Sequence, residues 1–484
     1  MNISVKQYNF RMIASQLDSQ LESETITLNR WLYAESVGLE VDEGGYTSHT
    51  EALASLYAQL LERSDGVSER YFAVESWVES RRVPLDFRVS AEMDRCLQAP
   101  AFHSSEGPLT WRNWKAFERE TNDPIRLAEG FEHMVQLSAA LTPALEERLA
   151  QTRADYVTAS GLTPVHTYAW REGTTPDALR AFLRRVGQAC CEPFQESLDR
   201  LSRSVFGRPA GPAELRALYL NRMYESTAAH FSATHAVAQA QAAFRAIGFD
   251  LAHIPVDVEN RPRKYPGAFC FPVAVPGDVR VSVRMASAHH LVDMLYHEFG
   301  HAAHFSGIGA SLPFVERYGI LSGTHECFST LFESLLHEPE YLQWQFGLDE
   351  GVVRELLDFA HFKALLIGTW LGASALTAVE AWLDNLSWRE VEARYAEHAG
   401  AFTGVPMPPG FARLEPFTAA LSVYPAGYVL AEVRVAHWRQ RLRELGGEAW
   451  WRSEAAQADI RNKIRAGGTL RFPQEWMLPD VFTR

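Results

Sequence analysis

Two histidines one helical turn apart carry the first chemical signal in this chain, in the run His297-Glu298-Phe299-Gly300-His301. At ~3.6 residues per turn, positions i and i+4 share a face, so both imidazoles can reach one cation. Glu298 stands beside the first of them, where it can take a proton from water polarised by that cation. The pattern is HExxH, whose chemistry is zinc ligation with an adjacent general base. The expected cofactor is therefore zinc, one ion per chain.

A catalytic zinc takes three protein ligands and keeps one position open. A third histidine six residues past His301 is absent, because Gly307 stands there. A glutamate about twenty residues past it is also absent, because Ile320 and Leu321 occupy that stretch. Between Ala302 and His325 the only acidic residue is Glu316, in a loop-like stretch after Pro313. Glu326 follows and opens an apolar periodic segment of Phe328, Leu331, Phe332 and Leu335. Glu326, Ser329 and Glu333 share one face of that segment, so Glu326 can ligate. Glu333 either orients a ligand histidine from behind or is a solvated surface carboxylate. His289, His290, His304 and His325 read as packing, surface or supporting residues rather than ligands.

The elements that must hold these groups are mostly helical. Apolar residues recur at three- and four-residue spacing over Phe10–Tyr33, Ala52–Leu61, Pro124–Val157 and Asp177–Leu201. Thr175-Pro176-Asp177 reads as a helix start. The cluster Phe206 to Pro212 breaks the pattern and marks a soft domain boundary. The expected division is a helical N-terminal lobe, 1–206, and a catalytic lobe, 207–484. Leu215 to Ile247 reads as one long helix or two. Val279 to Met285 alternates apolar and polar residues and is the strongest strand signal. It is a candidate for pairing with an extended peptide. Ser287 is placed to cap the metal helix that follows.

The 484 residues carry a net charge of −14 and 47% hydrophobic content. That is ample for a large core, and the acidic balance disfavours nucleic acid and anionic membranes as partners. No apolar segment follows the N-terminal basic residues as a signal peptide requires. The longest uncharged run, Ala364 to Val379, is too short for a bilayer and reads as a buried helix. Five cysteines, two of them adjacent and none in a CxxC pair, do not form a disulfide framework. A cytoplasmic location is expected.

Three blocks resemble the thimet oligopeptidase and oligoendopeptidase F zinc peptidases. Asp293 to His304 is similar to that family's metal helix, and Glu326 falls at its spacing for the third zinc ligand. Lys264-Tyr265-Pro266-Gly267-Ala268-Phe269-Cys270 resembles the entry to its preceding strand, which makes Gly267, Ala268 and Phe269 substrate-binding candidates. Tyr424-Pro425-Ala426-Gly427-Tyr428 resembles a segment whose tyrosines face the substrate. The resemblance implies a mainly α, zincin-type fold in two lobes around a deep channel, with a small β element before the metal helix. It also departs from the family: Ala419 and Ala431 stand where members carry a histidine and a further tyrosine.

The implied reaction is hydrolysis of short unstructured peptides by metal-activated water. Glu298 would be the base, and Tyr424 and Tyr428 the candidate oxyanion donors; the same spacing also suits aromatic packing. The missing groups at 419 and 431 favour a dedicated processing hydrolase as the alternative. An inactive zinc-binding module has no use for Glu298. The oligomeric state is left open.

Overall fold

The computed structural model describes residues 5–472 apart from 65, 97–102, 105–106, 110–113, 115–116, 119–120, 122, 220–226, 262, 266 and 285–287. It is mainly helical, as the periodicity implies. The N-terminal helices run Val5–Ser36, Glu43–Arg63 and Val67–Cys96. The helix starting at Pro176 is capped as expected, the Thr175 side chain accepting from the Ala178 N–H, and it runs to Phe206. There Gly207 ends it at φ +71°, a left-handed conformation that costs glycine little. Pro212 opens the next helix.

One stretch is more broken than its periodicity implies, and another takes the second of its two readings. Pro124–Val157 is a helix to Leu137, a 3-10 turn to Leu141, and a new helix from Thr142 with proline in its first turn. Pro143 has no N–H to give a helix interior, so it starts a helix rather than continuing one. Leu215–Ile247 holds helices Pro212–Tyr219 and Ala236–Ala246 with a short 3-10 turn between them. Its hydroxyl and imidazole groups bond locally or to other elements, as Ser232 does to His235 and Thr227 to His289, in competition with helix hydrogen bonds.

The β element has three strands, with Asp278–Val283 in the middle. It runs parallel to Val256–Asp257 and antiparallel to Ala268–Ala274. The strand expected to receive a peptide is thus flanked on both sides, and the edges belong to Val256–Asp257 and Ala268–Ala274. The Arg284 N–H donates to the Gly267 carbonyl. By antiparallel alternation the main-chain groups of Ala268 and Cys270 point away from the sheet. Pro272 stands in the same outward phase, where it lacks no ladder donor, and its carbonyl accepts from the Asn29 amide at 3.0 Å. Ser287 lies outside the described residues.

Two large cores result. One draws on Val89 to Leu198 and on Phe359 to Val433, so residues on either side of Phe206 share it. The other, from Phe231 to Ile464, surrounds the helix Ala288–Gly307. A helix from Glu350 passes through a π turn at Ile367–Leu371 and continues to Leu383. It is apolar enough to cross a membrane, yet 89% of that stretch is buried inside the protein. It is a core element, as the uncharged run implied. Cys190, Cys191, Cys270 and Cys327 are free.

Candidate metal centre

The helix Ala288–Gly307 is buried along almost its whole length, with Leu291, Leu295, Phe299 and Ala302 in the core. The helix Ser322–Glu333 crosses it at Gly300, where a Cβ atom would sit 2.6 Å from Ser329 Cα and 2.8 Å from the Phe328 carbonyl oxygen. Only glycine permits that approach. A third helix, Pro425–Gly446, closes on Ser322 and Gly323 at Gly427 by the same device. Glu316 lies in a short helix, Phe314–Tyr318, rather than a loop, and is not among the metal-site residues.

This packing brings His297, His301 and Glu326 together, one ligand atom from each lying within 4.8 Å of the others. Glu326 Oε2 is 3.4 Å from His297 Nε2 and 3.5 Å from His301 Nε2. Those separations are long for hydrogen bonds. They match the edge of a tetrahedron with metal–ligand bonds of about 2.0–2.1 Å, so the residues present fit a zinc ion. Glu326 is 1% exposed in its side chain. Burial alone would raise its carboxyl, but His301, His297 and His325 hold it well below the usual carboxylate range.

The surroundings separate the remaining candidates. Glu333 is buried, and its Oε2 accepts from His297 Nδ1 at 2.7 Å. It is therefore a buried partner of His297, not a solvated carboxylate. The Tyr424 hydroxyl donates to Glu326 Oε1 at 2.5 Å, and Ser329 Oγ donates to Oε2 at 2.9 Å. Tyr424 is thus tied to Glu326. Tyr428, its ring centroid 5.4 Å from that of Tyr424, lines the cavity beside His297 and Glu298. Burial, followed by the charge of Glu326, pushes both phenols well above their ordinary 10, so both stay protonated as donors.

Glu298 is buried, and burial raises its carboxyl; His297, His301 and the Cys270 backbone N–H oppose the rise. A raised carboxylate beside a metal is suited to accept and return a proton. Glu298 shares its cavity, about 390 Å³, with Gly267, with Ala268 and Phe269 of the edge strand, and with Tyr219, Phe417 and Leu371. A second cavity of about 270 Å³ borders His325 and Tyr424 on the other side. Among the described residues, none of the four neighbouring histidines is grouped with His297, His301 and Glu326, and His290 lines the cavity. His304 stacks on Phe328 with centroids 4.0 Å apart, and His289 accepts or donates to Thr227 at 2.9 Å. Burial lowers His325 to about 4, leaving it neutral.

Lys363 was not apparent from the sequence. Its ammonium lies 2.9 Å from Asp293 Oδ2 and 2.5 Å from Glu333 Oε1. It sits 37 positions beyond Glu326 with no motif around it. The one signal was its place as the single charge before a long apolar run. Ala431 is fully buried in the second core, and the Ala419 carbonyl accepts from Arg148.

No protein-family model matches the sequence, and no curated protein does.

Proposed function

We propose that this chain is a zinc-dependent endopeptidase acting on short, unstructured peptides. The observation that carries the reading is the convergence of His297, His301 and Glu326, with Glu326 at tetrahedral-edge distance from both histidines and Glu298 in the same cavity as Ala268 at the start of an edge strand. Zinc held by these three residues supplies a Lewis acid and lowers the pKa of the water it binds toward ~7.

The protein's own groups divide the remaining work. Glu298 accepts the proton of the attacking water and returns it to the leaving amine. The outward N–H and C=O of Ala268 align an extended peptide by main-chain hydrogen bonds. Tyr428 donates to the oxygen that gains charge. Tyr424, through Glu326, holds the ligand in place. The zincin-type, two-lobed arrangement belongs to the same proposal. In it the cavity lies between residues packed on the two cores, and residues 1–206 form one wall of a channel.

A graded set of peptides, casein and a stable folded domain tests the reading together. Cleavage of unstructured peptides of about 5–20 residues, with the folded domain intact, is expected, since an extended residue spans ~3.3 Å. Rapid degradation of the folded domain excludes the channel. Silence on every peptide favours the alternative, a processing hydrolase for one peptide or amide, to which Ala419 and Ala431 already point.

A further inference from the structure

Behind the metal ligands lies a second group of metal-ligating types. Asp293, Glu333 and His337 present ligand atoms within 4.8 Å of one another. Asp293 is one turn before His297 on the same helix, and Glu333 ends the helix that carries Glu326. Two buried carboxylates this close repel unless a cation lies between them. The cation here is the Lys363 ammonium, bound to Asp293 Oδ2 and Glu333 Oε1. The other Glu333 oxygen holds His297 Nδ1 at 2.7 Å. An unbroken line therefore runs from Lys363 through Glu333 and His297 to the metal position. His301 has no counterpart, its buried Nδ1 lacking a partner.

We infer that Lys363 is a positioning residue for the metal: its ammonium stands where a second divalent ion would stand and fixes Glu333, and through it the His297 ring, for ligation of a single zinc. The inference rests on the zinc reading above but not on peptidase activity. A lysine suits this place because it is a compact charge on a stem that can cross the apolar wall. Its arrival from a separate helix, Glu350–Leu366, also ties that wall of the cavity to the metal.

The test is zinc affinity by competition with a chromophoric chelator on the metal-free full chain. Glu333→Gln and Lys363→Met should each weaken zinc binding by about 10–100-fold, the usual cost of losing an orienting partner. The double variant should be no worse than either alone, because both break one line. Lys363→Arg should recover most of the affinity. The visible spectrum of the cobalt(II)-loaded protein should shift in Lys363→Met and return in Lys363→Arg, which a purely structural lysine would not produce. Should Lys363→Met fail to fold, with two carboxylates left facing each other, Asp293→Asn added to it removes one and allows the same measurement. Wild-type affinity in a folded Lys363→Met protein, or losses that add in the double variant, overturns the role of Lys363 alone. A wild-type chain that binds no zinc overturns this inference and the metal reading together.

Discussion

Under the proposed zinc chemistry each residue at the centre has a separable task, and substitution can divide them. Glu298→Gln keeps the side-chain shape and touches no ligand. Zinc should stay at one per chain while hydrolysis falls by about 10²–10⁴-fold, the usual loss with a general base; near-normal turnover with zinc bound would falsify its role. The two tyrosines should part company. Tyr424→Phe removes a hydrogen bond to Glu326, so it should show chiefly in zinc affinity. Tyr428→Phe should leave zinc in place and lower kcat by about 10²–10³-fold, as losing an oxyanion donor does. Equal effects of both on affinity would return Tyr428 to a packing role. The histidine pair and Glu298 were legible in the sequence because their geometry is local: one helix fixes it. Glu326 lay within reach because few acidic residues compete for its place. The tasks of Tyr424 and Lys363 were not legible. Each depends on which helix packs opposite, and the same tyrosine spacing serves a substrate, a ligand or a core equally well.

Among the elements, one close fit is the crossing of Ala288–Gly307 and Ser322–Glu333 at Gly300. Gly300→Ala places a methyl group against backbone, which cannot swing aside as a side chain would. An overpacking cost of about 1–3 kcal/mol is expected. Zinc affinity should fall too, because the methyl pushes Glu326 away from the histidines. Thermal unfolding and chelator competition check the two halves, and a variant with unchanged zinc affinity would show that the crossing does not set the ligand distances. Sequence periodicity found the helices and the middle strand but not the order of strands. Order depends on Gly267 and Arg284 meeting across the sheet, a contact that alternation within one strand does not encode. At the far end of the long helix, Glu380 meets Arg184 and Arg394 and lies 3.0 Å from His398 Nε2. Burial opposes its ionisation, but His398 and Arg394 bring its carboxyl down from 4.5 to about 2. A depressed carboxyl stabilises the fold fully above its unfolded value and loses that contribution as pH falls toward the folded one. Glu380→Gln should therefore lower Tm at pH 6–7. The gap to wild type should close as pH falls from about 4.5 toward 2. A gap independent of pH would assign the effect to packing alone.

At the scale of the molecule, one core is assembled from Val89–Leu198 and Phe359–Val433. A cut in the loop after Phe206 should leave two pieces that each expose half of it. Expressed separately, 1–206 should be largely unfolded by circular dichroism and 207–484 should keep the second core but melt well below the whole chain, whereas a 207–484 fragment as stable as the whole chain would show that it needs no such support. The soft boundary read from Gly207 and the prolines is a loop, as composition implied, but loop composition says nothing about which buried surfaces meet across it. The π turn at Ile367–Leu371 also acts on the whole molecule. A π turn is a single extra residue absorbed by an α-helix. Ile367 and Leu371 face the metal cavity, while Lys363 before the turn and Glu380 after it are each engaged in ion pairs. Deleting one residue there would close the wide turn into ordinary α-helix, so Glu380 would keep its arginines while the wall between Ile367 and Leu371 would lose one side chain. Single-residue deletions are ordinarily absorbed by loops. Here a buried helix absorbs one, and the change falls on the shape offered to a substrate rather than on the fit of the core.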